Sequence, residues 1–178
     1  MPITRLNHAV LYVRDVERSV AFYTDVLGFR VLNVLPEGFR GAAFLQAPGS
    51  TNDHDLGLFE IGPVSSEASG AASSPAGRGG AVGLYHLAWE VDTLAELERL
   101  AERLTEAGAL VGSSDHGTTK SLYAQDPDGL EFEVAWIVPA DQIDAGAIEG
   151  RKRIGRLDLD RELARYGAET RGGVGISH

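Results

Sequence analysis

A chain of 178 residues without cysteine cannot use disulfides, zinc ribbons or thiolate nucleophiles and must hold its fold by core packing alone. Sixteen basic against 26 acidic residues, a formal net charge of −10, argue against nucleic acid as a partner, because phosphate binding needs concentrated positive charge. A 43% hydrophobic and 24% charged composition is ordinary for a soluble globular protein, no apolar run nears the roughly 20 residues that span a bilayer, and MPITRLNHAV does not read as a signal peptide. No membrane partner is expected, and the cytoplasm is the expected compartment.

In chain order, a strand is expected over 3–13. Asp15, Val16 and Glu17 then open a helix running to about Val26, with Val16, Val20, Phe22, Tyr23 and Val26 on one side and Gly28 as its stop. Strands follow at 29–35, 41–47 and 55–61, parted by the turns Pro36-Glu37-Gly38 and Pro48-Gly49-Ser50. Residues 62–82, GPVSSEASGAASSPAGRGGAV, read as a mobile linker. They lack the strand, helix and lysine that a phosphate-binding loop requires.

The order then repeats. A strand at 83–91 leads into Thr93-Leu94-Ala95-Glu96, a capping-box pattern, and a helix to Ala107 that Gly108 stops. Strands follow at 109–114, 120–126 and 130–138, with Asp126-Pro127-Asp128-Gly129 as the last turn. Each half is β-α-β-β-β, so the fold class is α+β: a single domain over 1–138, made of unit one (1–61), the linker (62–82) and unit two (83–138), whose strands build a curved mixed sheet. Residues 139–178 form a helical, peripheral extension, with GRKRIGR and LDLDREL as a mixed-charge surface helix.

The repeat carries the candidate chemistry. NHAVLYVRD (7–15) and YHLAWEVD (85–92) each place a histidine five residues before a valine, with an aspartate close behind. One strand histidine is more often a satisfied polar group than a ligand. His8 and His86 at equivalent places, with Glu133 closing the second copy, reverse that expectation, because imidazole and carboxylate together make a metal donor set. Alternation puts His8 with Val10 and Tyr12, His86 with Ala88 and Glu90, Glu131 with Glu133, and His54 with Leu56, Leu58 and Glu60. A sheet face bearing His8, His54, His86, Tyr123 and Glu133 is therefore expected. His116 sits in a turn, His178 receives no role, and no G-x-S-x-G elbow is present.

The tandem units, with NHAVLYVRDVERSVAFYTDVLGF, LYHLAWEV and DPDGLEFEV, resemble the vicinal oxygen chelate superfamily: glyoxalase I, bleomycin- and fosfomycin-resistance proteins and type I extradiol dioxygenases. The resemblance spans residues 3 to about 138 and is best for small one-domain, catechol 2,3-dioxygenase-like members. It implies Fe(II) held by His8, His86 and Glu133, with Mn, Ni or Zn as alternatives. It also implies His54 as acid–base catalyst in His-Asp-Leu-Gly-Leu, Tyr123 contacting a bound catechol ten residues before the glutamate, and His116 as a further active-site histidine. The implied partners are an aromatic small molecule and O2, in a homodimer. Two histidines and one carboxylate leave coordination positions open for both, and an imidazole can exchange protons near neutral pH.

Two other branches remain open. Glyoxalase I uses a donor at the start and end of each unit; here Glu60 would be the fourth ligand, giving a Ni or Zn lyase or isomerase. The bleomycin-resistance branch binds small molecules without the metal set.

Overall fold

A computed structural model describes residues 5–33, 40–61 and 83–173. The Pro36 turn, the 62–82 linker and His178 lie outside them. Contacts divide the chain into two compact units, Met1–Ser73 and Ser74–His178. The α+β class and the tandem β-α-β-β-β order are as expected, with one four-stranded sheet per unit.

Unit one runs β1 (Ala9–Val13), α1 (Val16–Asp25), β2 (Arg30–Leu32), β3 (Ala42–Gln46) and β4 (Leu56–Glu60). Its sheet order is β1-β4-β3-β2, with β1 parallel to β4 and the other pairs antiparallel. Asp15 caps α1 by accepting from the Arg18 N–H at 2.9 Å, and Gly28 leaves it at φ 77°. Leu11, Val13, Leu45, Leu56 and Leu58 are buried on the face that α1 covers. The buried side of α1 is Val16, Ser19 and Tyr23; Val20, Phe22 and Val26 are half-exposed, so the small Ser19 takes the closest approach to the sheet.

Unit two runs β5 (Leu87–Glu90), α2 (Leu94–Glu106), β6 (Leu110–Asp115), β7 (Thr119–Gln125) and β8 (Glu131–Ile137), in sheet order β5-β8-β7-β6 with β5 parallel to β8. Thr93 caps α2 through the Glu96 N–H at 3.2 Å, and Gly108 follows at φ 65°. Leu94, Leu97, Leu100 and Leu104 are buried at helical spacing, each contributing about 2 kcal/mol. They face the side of the sheet that carries Leu122, Ala124, Phe132, Val134 and Trp136.

The extension belongs to this second unit. After a 3-10 turn (Ala140–Gln142) come α3 (Ala145–Gly150) and α4 (Leu159–Tyr166), which packs on α2. It is helical only in these short pieces, since residues 151–156 of GRKRIGR lie outside both helices, and it is not peripheral. Leu157, Glu162 and Tyr166 are buried, Arg171 bridges Thr93, and the Gly172 N–H donates to the Asp92 carbonyl at 2.8 Å. No helix among the described residues is long and apolar enough to cross a membrane.

Candidate active site

Both units set their first and last strands side by side in parallel, so the starts of the two strands lie against each other. His8 and His86 each sit immediately before the first strand of their unit. In unit two, Ala88, two residues after His86, pairs with Glu133. The His86 Nε2 and Glu133 Oε2 atoms are 3.2 Å apart. Glu133 Oε1 accepts from the Ser121 hydroxyl at 2.5 Å, which leaves the other oxygen beside the imidazole. His86 Nδ1 is buried without a hydrogen-bond partner, and Glu131 Oε1 lies 4.0 Å from it.

Tyr123 pairs directly with Glu133 across β7 and β8, with its ring 6.0 Å from that of His86. The Tyr123 hydroxyl is 3.0 Å from His116 Nε2 and receives the Ser114 hydroxyl at 3.3 Å, while Ser114 Oγ is 2.8 Å from the same His116 nitrogen. Strand alternation thus puts His86, Glu133, Ser121, Tyr123, Ser114 and His116 together on the face away from α2. Ser114 and Ser121 were not singled out from sequence. The alternation that marks Tyr123 also marks Ser121, and pairing of Ser114 with Ser121 would have found the other.

In unit one the rings of His8 and His54 are 4.4 Å apart, and His54 lies edge-on to Phe44 at 4.8 Å. His54 Nδ1 is 3.0 Å from Asp53 Oδ2, and His8 Nδ1 is 2.8 Å from Asn7 Oδ1. The expected sharing of a face by His54, Leu56 and Leu58 fails, because the two leucines are fully buried against α1. β4 begins only at Leu56, and the buried Asp55 before it accepts from the Ala47 N–H, Ser50 and Asn52, so His54 lies outside the regular strand.

Glu60 does share the face of Leu56 and Leu58, and that is the helix side. Its carboxylate accepts from the Val16 N–H at the start of α1 at 3.4 Å. The unit-one counterpart of Glu133 is instead Gly57, which pairs with Val10, two residues after His8, as Glu133 pairs with Ala88, two residues after His86. A Cβ at Gly57 would meet the Phe44 ring at 3.3 Å and Val10 at 3.4 Å, so a side chain there would require the Phe44 ring to shift by a few tenths of an ångström.

Among the described residues no group of three or more His, Asp or Glu side chains converges on one metal position; within unit two a histidine nitrogen and a carboxylate oxygen stand 3.2 Å apart, and the far imidazole nitrogen is buried beside a second carboxylate, a chemistry compatible with part of a metal's donor set. Replacing Ser121 by alanine frees Glu133 to rotate and is expected to weaken metal binding about 10- to 100-fold, as measured by competition with a chelating dye.

Close by, burial works to raise the Asp115 carboxyl, but the Lys120 ammonium and the Gly117 N–H donate to it, and Lys120 and Arg161 add their charge, so it titrates below its ordinary 3.8. A lowered carboxylate contributes stability above its ordinary pKa and loses it as pH falls through the lower folded value. The melting-temperature gap between the wild-type protein and Asp115→Asn should therefore close as pH drops below about 4.

The model of the Glyoxalase/Bleomycin resistance protein/Dioxygenase superfamily matches residues 5–134. A catechol-2,3-dioxygenase of Bacillus subtilis (strain 168) is 34% identical over 131 residues, 74% of this chain, which spans only 41% of that relative's length. A lactoylglutathione lyase of Salmonella typhimurium is 32% identical over 136 residues, covering 73% of this chain and 90% of the relative. A glyoxylase/bleomycin resistance protein/dioxygenase domain from Frankia sp. EAN1pec shares the fold at TM-score 0.59 and 24% identity, over 75% of this chain and 92% of that one. With its tandem units, matched length and paired histidines, the chain belongs to the glyoxalase/bleomycin resistance/dioxygenase, or vicinal oxygen chelate, superfamily.

Proposed function

We propose that the chain is an Fe(II)-dependent extradiol dioxygenase that opens a catecholic ring with O2, its metal held by His8, His86 and Glu133. The observation that carries the reading is Gly57. Where unit two has a carboxylate, unit one has a glycine under an aromatic ring, and Glu60 is engaged at the start of α1. That leaves two histidines and one carboxylate, the donor set that keeps positions open for a bidentate substrate and oxygen. Fe(II) bound there would pass charge from the electron-rich ring to O2, so no organic cofactor is required.

The remaining work falls to side chains. His54 takes the proton of a catechol hydroxyl and returns one as the ring opens, with Asp53 on Nδ1 leaving Nε2 for that exchange. Tyr123 holds a substrate oxygen through its hydroxyl, and His116 and Ser114 orient that hydroxyl.

One observation favours a second reading, a Ni or Zn lyase: this chain spans 90% of the lactoylglutathione lyase but only 41% of the dioxygenase. Anaerobic loading with Fe(II), then oxygen uptake and a yellow ring-fission product on a panel of catechols, separates the two. The dioxygenase reading expects both signals, and loss of both in Glu133→Ala. Absence of uptake, with isomerisation of a thiol hemithioacetal by the Ni or Zn protein, would establish the lyase instead.

A further inference from the structure

The turn that carries His116 lies between β6 and β7 and is built largely on the extension beyond residue 134, where the family match ends. Within the turn, the His116 N–H donates to the Thr119 carbonyl at 2.9 Å and the Thr118 N–H to the His116 carbonyl at 3.0 Å. Gly117 is at φ 78°, and a Cβ there would strike the Ala147 carbonyl and lie 2.7 Å from the Arg151 nitrogen. On the other side of this contact, a Cβ at Gly150 would come 2.8 Å from the Gly117 Cα. The turn and α3 therefore touch backbone to backbone, with no side chain between them to absorb a displacement.

Three further contacts hold the two ends of the turn, Asp115 and Lys120. Asp115 and Gly155 exchange both backbone hydrogen bonds, each 2.9 Å. Lys120, fully buried, donates to Asp115 at 2.6 Å and pairs with Glu162 of α4 at 2.9 Å. Arg161 reaches Asp115 at 3.2 Å and Glu162 at 2.8 Å. Both ends of the turn, and its middle, are thus tied to residues 147–162. The ring that emerges from it has its Nε2 3.0 Å from the Tyr123 hydroxyl, a bond that a shift of about 1 Å would break.

We propose that the C-terminal extension is a positioning element for the active site: residues 147–162 set the His116 imidazole against Tyr123 and Ser114. This rests on the assignment of Tyr123 to substrate binding. His116 acts through Tyr123, and the extension acts through His116. A chain cut to the family's matched span would keep the proposed metal donors and lose control of the hydroxyl that meets the substrate.

The test is one methyl group. Gly150→Ala places a carbon against Gly117, while Gly146→Ala puts the same methyl on the same helix, where it meets only Asp144 and Arg165 side-chain atoms. Arg161→Ala, at an exposed residue, removes one of the ties between the extension and Asp115 and leaves the Gly155 backbone pair and Lys120 in place. The readout is the His116 ring in long-range proton–nitrogen NMR spectra, identified by its disappearance in His116→Gln, alongside kcat and KM on a catechol. Gly150→Ala is expected to shift or split the His116 ring signals and lower kcat about 10- to 100-fold with KM within about twofold. Arg161→Ala should do the same to a smaller degree, and Gly146→Ala neither.

Unchanged ring signals in both Gly150→Ala and Arg161→Ala, or an equal disturbance in Gly146→Ala, would reduce the extension to a general stabiliser. The two readings fail separately. If the wild-type protein turns over no catechol, the dioxygenase assignment falls, and the ring signals still decide whether the extension places His116.

Discussion

Alanine at His54 is expected to leave bound metal within about twofold of the wild-type content while lowering turnover about 10²- to 10⁴-fold, the usual effect of a positioned acid–base group. The imidazole is stacked 4.4 Å from His8, edge-on to Phe44, and oriented by Asp53 through Nδ1. These contacts hold the ring at a proposed donor without making it one, so metal content and turnover should separate. Metal analysis beside steady-state oxygen uptake measures both. The loss should be in kcat, with a changed pH profile, and Asp53→Asn should give a smaller loss in the same direction. Wild-type turnover in the alanine variant would remove His54 from the reaction, and loss of metal would make it a ligand.

Lys120→Met carries the largest expected stability effect. The ammonium is fully buried between Asp115 and Glu162, and Glu162 is itself fully buried. Removing one partner of a buried pair leaves the other's charge in the interior, at a cost of 3–5 kcal/mol. Arg161 still reaches Glu162 at 2.8 Å, which sets the expectation at the lower end, about 3 kcal/mol. A urea denaturation series reads the shift in midpoint. Adding Glu162→Leu to Lys120→Met should recover most of the loss, since both charges are then gone and apolar side chains fill the volume. If the double variant is as unstable as the single, the cost comes from packing around Tyr166, whose ring centre is 5.7 Å from the Lys120 nitrogen.

Local signals in the sequence were legible because their causes are local. Asp15 and Thr93 cap their helices, Gly28 and Gly108 end them, and Asp126 builds the last turn by accepting from the Asp128 and Leu130 N–H groups. Repeat equivalence pointed to His86 and Glu133, and the family resemblance pointed to Tyr123; the structure sets the three side by side. Strand length was less visible: the first strand of each copy is only five or four residues long, so each histidine stands just outside it.

What was not legible depends on partners far away in sequence. Choosing between Glu60 and Gly57 requires the pairing of β1 with β4, and a three-residue difference along a strand reverses the face. Alternation misplaced His54 because the regular strand begins only at Leu56, and the His54 ring lies against His8 and Phe44. A lysine inside the sequence KSLYAQ gives no hint of burial until α4, some forty residues on, is seen to cover it. Nothing in the composition of residues 139–173 signals that two glycines there and in the turn meet backbone to backbone.

The glycine under Phe44 also constrains how sequences of this kind can change. The second copy already holds its carboxylate; the first could gain one only at position 57, where the new Cβ would be pressed 3.3 Å from an aromatic ring. A chain that acquires the glutamate first must also move the Phe44 ring by a few tenths of an ångström. One that first shrinks residue 44 opens the space at little chemical consequence and can then accept the acid. The order of two mutations is thereby biased: a smaller residue at 44 first makes room for an acid at 57.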